Sequence, residues 1–229
     1  MARTAAPDGR DRILDVAARL FYDQGIRAVG MKQIIDEAGS GKSLLYAHFA
    51  TKDDLVEAYL ERSAARLARS SARALQAASD DPGERIVALV TEAGHRILRP
   101  GGRGCPFRNY LVEFPDRDNE PDTGDETGAG TGAGTGTGTG PAALAHRTLK
   151  ESRSVLDRSA KELAGPVAGA VLAEQIGLIV DGLFAQASYR ARDDDEPPVS
   201  AVLAAVELAR TLVAQHRASG GATETAPGR

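Results

Sequence analysis

Helical spacing of apolar residues recurs along this chain, and its most telling interruption is Gly39-Ser40-Gly41. That break separates two short segments, 31–38 and 42–49. The first turns Ile34 and Ile35 inward and the second Leu45 and Phe49. Upstream, Asp8 can cap a helix whose stripe is Ile13, Ala17, Leu20 and Phe21, and Gly25 ends it. Downstream, Thr51 and Asp54 have the spacing of a capping box. The box opens a long helix carrying Val56, Tyr59, Leu60 and Leu67. Three short helices therefore precede a long one.

The rest of the chain reads as helix too. Pro82 suits the first turn of a helix with Ile86, Leu89, Val90, Ala93 and Ile97 on one side. Residues 104–114 form a short helix or turn-rich segment, and 144–163, 167–189 and 199–217 are three further helices. Aromatics are only 4% of the 229 residues and Trp is absent, a composition that favours helix over strand. Residues 116–141 end in a Gly/Thr/Ala tract with almost nothing to bury, which predicts a flexible loop. The tail 218–229 is expected to be disordered. The fold class is all-α. Residues 8–50 are read as a three-helix, helix-turn-helix DNA-binding domain, and 51–217 as a helical ligand-binding and dimerisation domain.

The net charge of −4 lends DNA binding no support from the chain as a whole, so the case rests on one local surface. With Leu45 and Phe49 turned inward, Lys42 and Tyr46 share an outer face, with Ser43 and Ala47 beside them. Lys42, Ser43, Tyr46, His48 and Lys52 all offer donors that suit phosphate oxygens. Spacing alone leaves a solvated helical hairpin open. Two other motifs lead nowhere. Gly39-Ser40-Gly41-Lys42-Ser43 ends like a phosphate-binding loop, but Asp36 stands where that motif needs its first glycine, and no strand precedes it. The glycines of the later tract alternate strictly and never give the G-x-G-x-x-G spacing.

The stretch from Ile13 to Leu60 resembles the N-terminal domain of the TetR family. The likeness rests on Ala17-Ala18, Leu20-Phe21, Gly25, Ile34, Ala38-Gly39, Leu45-Tyr46, His48-Phe49 and Lys52. It implies an all-helical homodimer with a divergent ligand domain, bound to a palindromic operator on double-stranded DNA. It further implies repression relieved by a small-molecule effector. By matching position, Lys32 and Gln33 would brace the DNA backbone, Lys42, Ser43 and Leu44 would open the recognition helix, and Tyr46, His48 and Lys52 would hold phosphates. Ser40, Leu44 and Gly30 depart from the family pattern, where a valine, a threonine and a hydroxyl residue are usual. The run GCPFRNYLVEFPD at 104–116 resembles a segment from one branch of the family.

Other candidates follow from composition. Phe107, Tyr110 and Phe114 concentrate aromatic bulk in a chain otherwise poor in it, and with Asn109 and His95 they are candidates for an effector pocket. A simple core role is equally open. Helix 167–189 carries more apolar surface than one face needs, and 199–217 has apolar residues at helical spacing. Val171, Ile176, Ile179, Leu183, Val202, Val206 and Val213 are the expected dimer interface. Segment 167–187 contains Glu174, Gln175 and Asp181, costly inside lipid, and reads as a buried helix rather than a membrane span. A single cysteine, Cys105, and no secretory signal in residues 1–12 point to the cytoplasm. Cys105 is open between a redox switch and an inert buried residue. No metal-ligand spacing, catalytic triad or cofactor loop is found, so neither an enzyme nor a cofactor is expected. A helical interaction module without DNA binding is the competing class.

Overall fold

The computed structural model describes residues 9–99, 103–115, 140–189 and 198–221, and among these every regular element is a helix. In order they are α1 (Gly9–Gln24), α2 (Met31–Ala38), α3 (Lys42–His48), α4 (Lys52–Ala77), α5 (Pro82–Ile97), α6 (Pro106–Glu113), α7 (Pro141–Tyr189) and α8 (Val199–Gly221). The expected cap Asp8, loop 116–139 and residues 222–229 lie outside the described residues. The chain groups into two compact units. One contains α1 to α3, the first part of α4, α6 and the start of α7. The other contains the rest of α4, α5, most of α7 and α8.

In the first unit, the predicted α1 stripe of Ile13, Ala17, Leu20 and Phe21 is fully buried. Ile34 and Ala38 of α2, Leu45 of α3 and Leu55, Val56, Tyr59 and Leu60 of α4 share the core. Ile35, expected inward, is only half-buried. Phe21 meets Tyr59 edge to face with ring centroids 5.7 Å apart. Helices as short as α2 and α3 do not persist alone in water, so this burial is what keeps them folded. The capping box forms as its spacing predicts. Thr51 N–H donates to Asp54 Oδ2 at 2.9 Å and Asp54 N–H to Thr51 Oγ1 at 3.1 Å.

The second unit is organised by glycines. Gly83 and Gly94 on α5 lie against Val213 and Val202 on α8. The two helices therefore run antiparallel at close approach, with Arg217 reaching Asp81 beyond the end of the contact at 2.6 and 2.7 Å. Asp81 also accepts from Glu84 N–H at 2.9 Å, capping α5 one residue before Pro82. This amide, and Arg217 after it, hold the Asp81 carboxyl below its ordinary range. α7 is broken at Gly165, whose φ of 78° suits only glycine, and Pro166 follows. The break falls between the two helices expected at 144–163 and 167–189. The halves fold back on each other. A Cβ on Gly169 would lie 2.6 Å from the Ala160 carbonyl oxygen, and Arg153 pairs with Glu174.

Two expectations need correction. The tail was expected from residue 218, yet α8 continues to Gly221. The bond of His216 to Gln175 at 3.0 Å and the Arg217–Asp81 pair anchor its last turns. Segment 167–187 was expected to be buried, but Val167 is 80% and Leu178 71% exposed. By length and composition alone, residues 141–187 could cross a membrane. The helix is nevertheless interrupted at Gly165-Pro166, and its second half carries Glu174 and Asp181.

The glycine contacts differ in what blocks them. At Gly94 a Cβ would meet a side chain, Val202 Cγ1, at 2.4 Å, whereas at Gly169 it would meet backbone. Gly94→Ala is expected to cost about 1–3 kcal/mol, as overpacking does, and Val202→Ala should recover part of that loss. Gly169→Ala should cost at least as much, with no single side-chain truncation relieving it. Denaturant melts of the single and double variants check both statements.

Candidate nucleic-acid interface

The turn between α2 and α3 explains why this sequence presents a helix outward. Gly39 closes α2 in the left-handed region, at φ 55° and ψ 37°. The N–H groups of Gly39 and Ser40 return to the Asp36 and Ile35 carbonyls at 3.2 and 3.1 Å. Gly41 then starts α3 from extended backbone, and Leu45 and Phe49 anchor it, at 0% and 2% exposure. Every other residue from Lys42 to His48 is exposed. The predicted outer face of Lys42, Ser43, Tyr46 and Ala47 is thus exposed, and Leu44 and His48 are exposed beside it. Lys42 Nζ stands 5.8 Å from the centre of the Tyr46 ring, the i, i+4 neighbour. Lys52 is half-buried in the first turn of α4.

α2 lies behind this helix with its own polar face. Lys32 is exposed and pairs with Asp36 at 2.6 Å. Gln33 donates to Gln24 Oε1 at 3.3 Å and to Glu37 Oε1 at 3.1 Å, and Arg19 of α1 donates to Glu37 Oε2 at 2.6 Å. The Arg19 hydrogen bond, and Gln33 after it, lower the Glu37 carboxyl from its ordinary value of 4.5. Lys32 and Gln33 therefore brace α2 in the free protein. The caps of α2 and α3, Gly30 and Gly41, both lack a side-chain hydrogen bond.

The sequence reading missed two neighbours of α3. A Cβ on Gly9 would come within 3.0 Å of the Leu44 side chain, and the Arg10 guanidinium lies 5.1 Å over the Phe49 ring. The start of α1 thus flanks the exposed helix, a tertiary contact that no local pattern signals.

The remaining candidates belong to different units. Phe107 and Tyr110 are each 1% exposed, and Phe114 is also buried, its ring 5.0 Å from that of Tyr110. Asn109 is half-buried beside them. These residues belong to the first unit. His95 belongs to the second unit and is exposed on α5, with Nδ1 3.9 Å from Glu92. Of the expected dimer residues, Ile176, Leu183, Val202 and Val213 are buried within the single chain, Val202 and Val213 against Gly94 and Gly83 of α5. Ile179 and Val206 are half-buried and Val171 is 50% exposed. Cys105 is buried. No cluster of metal-ligating side chains occurs among the described residues.

A short outward helix with two buried anchors, set behind a glycine turn in a chain whose described elements are all helices, defines a helix-turn-helix protein. Residues 13–59 match the model of the bacterial regulatory proteins of the tetR family. Residues 13–59 thus carry a DNA-binding domain of the tetR type, and the fold is similar to those of TetR-family regulators. The chain is 35% identical over 115 residues to the HTH-type transcriptional activator FasR of Mycolicibacterium smegmatis, covering 49% of this chain and 52% of that one. The chain thus spans about half the length of that relative. Its fold is similar to that of a TetR-family transcriptional regulator from Streptomyces coelicolor, at a TM-score of 0.69 and 24% identity over 91% of this chain and 96% of the other. A structure of AibR in complex with isovaleryl coenzyme A and operator DNA has a TM-score of 0.60 at 17% identity, covering 88% of this chain and 97% of that one. These likenesses are to transcriptional regulators rather than enzymes.

Glu37 gives this module a defined response to acid. Its folded value is lowered, so the stability it adds is fully present above the unfolded value and lost as pH falls through the folded one. The melting temperature of Glu37→Gln should lie below that of the parent at pH 7, and the gap should close on acidification. Thermal melts across pH check this.

Proposed function

We propose that the protein is a homodimeric transcriptional regulator that reads a palindromic operator by placing α3 of each copy in the major groove of double-stranded DNA. The observation that carries this reading is the division of α3. Leu45 and Phe49 are buried, while Lys42, Ser43, Tyr46 and His48 stand in solvent. Lys42, Ser43 and Leu44 open the reading helix, with the small Ala47 allowing close approach. Tyr46, His48 and Lys52 meet phosphates, and Lys32 and Gln33 support the backbone from α2. Two such helices spaced roughly 34–36 Å apart fit successive major grooves. A small-molecule effector that binds the two spacings unequally shifts DNA affinity by that difference. AibR is a structural relative seen with both a coenzyme A ester and operator DNA, which supports this two-ligand reading. Repression is the expected output. Activation is the second reading, favoured by the likeness to FasR, which is named an activator. Such a protein works in the bacterial cytoplasm.

The dimer face is proposed on the apolar residues that the fold leaves uncovered. These are Val167, Val171 and Leu178 on the second half of α7 and Val199, Leu203 and Leu208 on α8. On α7 they fall at i, i+4 and i+11, one stripe of the helix. A two-fold pairing of these helices buries one patch against itself.

Selection of bound duplexes from random DNA tests the reading. Lys42→Ala and Lys52→Ala should each weaken binding and lower the salt slope by about 1, because each removes a phosphate contact. Tyr46→Phe should weaken binding without changing the fold. Equal binding by all three variants contradicts this surface, and no duplex bound even at low salt makes the protein a helical interaction module instead. Separately, Leu178→Asp should shift the protein toward monomer in light scattering and reduce palindrome binding with it. An unchanged dimer places the interface elsewhere.

A further inference from the structure

We infer that Glu113, the last residue of α6, is a positioning residue for the DNA-binding module, fastening the turn between α1 and α2. Three contacts converge on that turn, all within the first unit. Glu113 Oε2 accepts from the Arg27 backbone N–H at 2.9 Å. The same carboxylate sits against the bare Cα of Gly25, where a Cβ would lie 3.1 Å from Glu113 Oε1. The Arg27 guanidinium then lies 5.0 Å over the ring of Phe114, the next residue. Arg27 is thus held by its backbone and by its side chain, and both holds come from the end of α6.

The position of the glutamate argues for this role. A carboxylate at a helix C-terminus faces the negative end of the helix dipole and works against its own helix. Glu113 is half-buried there, and what it gains is an amide of the α1–α2 turn. Gly25 serves the arrangement twice. Its φ of 90° makes the turn, and its missing side chain admits the carboxylate. The turn leads through the buried Ile26 and Val29 to Gly30, the residue from which α2 starts. Holding Arg27 therefore fixes where α2 begins, and through the Gly39–Gly41 turn it fixes where α3 presents its outer face. α6, which belongs to the same unit and carries the buried Phe107, Tyr110 and Phe114, is the anchored side of this fastening.

The inference rests on the DNA-binding reading above for its consequence, but not for the contact itself. The test therefore has two readouts on the full-length protein. The first is amide hydrogen exchange at residues 25–28 without DNA. The second is affinity for a duplex selected from random DNA by the parent. Glu113→Ala should speed exchange at Arg27 about tenfold and weaken the duplex complex about tenfold, the loss of one hydrogen bond to a charged acceptor. Circular dichroism and light scattering should be unchanged. Glu113→Gln, whose amide oxygen still accepts from the Arg27 N–H, should restore both readouts to within about twofold. Phe114→Leu keeps the apolar bulk and removes the ring under Arg27. It should weaken the complex severalfold, and it carries the test if Glu113→Ala costs helix content. Parent-like exchange at Arg27 in Glu113→Ala, or parent-like affinity in both Glu113→Ala and Phe114→Leu, overturns the inference. A parent that selects no duplex sinks the DNA-binding reading instead, and exchange still decides the contact.

Discussion

The burial of Leu45 and Phe49 is the constraint on which the outward face of this protein depends. α3 has seven residues, too few to repay the cost of helix nucleation from its own hydrogen bonds. It persists because these two side chains enter a core already formed by α1, α2 and α4. The same two anchors set its rotation about its axis. Lys42, Ser43, Tyr46 and His48 then face solvent because no other direction remains. A surface made this way is well suited to recognition, since its side chains can change without disturbing the core that orients them.

What surrounds α3 limits its freedom to move. The N-terminal turn of α1 flanks it through Gly9, Leu44 and the Arg10–Phe49 contact. The Arg19–Glu37–Gln33 chain ties α1 to α2, and Glu113 holds the connection between them. These are polar ties, individually modest, laid over an apolar core that supplies most of the stability. The second unit is built on a different principle. There, missing side chains at Gly83, Gly94 and Gly169 allow helices to approach until valine methyl groups or backbone stand where a Cβ would be. A core of that kind tolerates little enlargement.

The sequence reading succeeded wherever a local rule decides the outcome. The α1 stripe, the Thr51–Asp54 box, the Pro82 start and the separation of helices 144–163 and 167–189 each follow from residues a few positions apart. It did less well where apolar residues outnumber the faces available. For α7 and α8 it assigned Ile176, Leu183, Val202 and Val213 to a partner, yet all four are already buried within the single chain. Both sets are apolar and both have helical spacing. Periodicity shows that a helix has a surplus of apolar surface but not which part its own chain covers. The aromatic cluster of α6 was ambiguous for the same reason, since concentrated aromatic bulk serves a core as well as a pocket.

By itself, the sequence determined that this is an all-helical chain with a helix-turn-helix near its start, and which residues of α3 face outward. Capping, glycine turns and a 3.6-residue period are properties of neighbouring residues, and they carry that information without the rest of the molecule. Only the tertiary structure decided which apolar faces remain uncovered, that Gly9 and Arg10 flank the exposed helix, and that Glu113 reaches the Gly25–Arg27 turn. Those are contacts between residues tens of positions apart. Glu113 and Arg27 are separated by 86 residues, and no local pattern encodes where such distant segments meet.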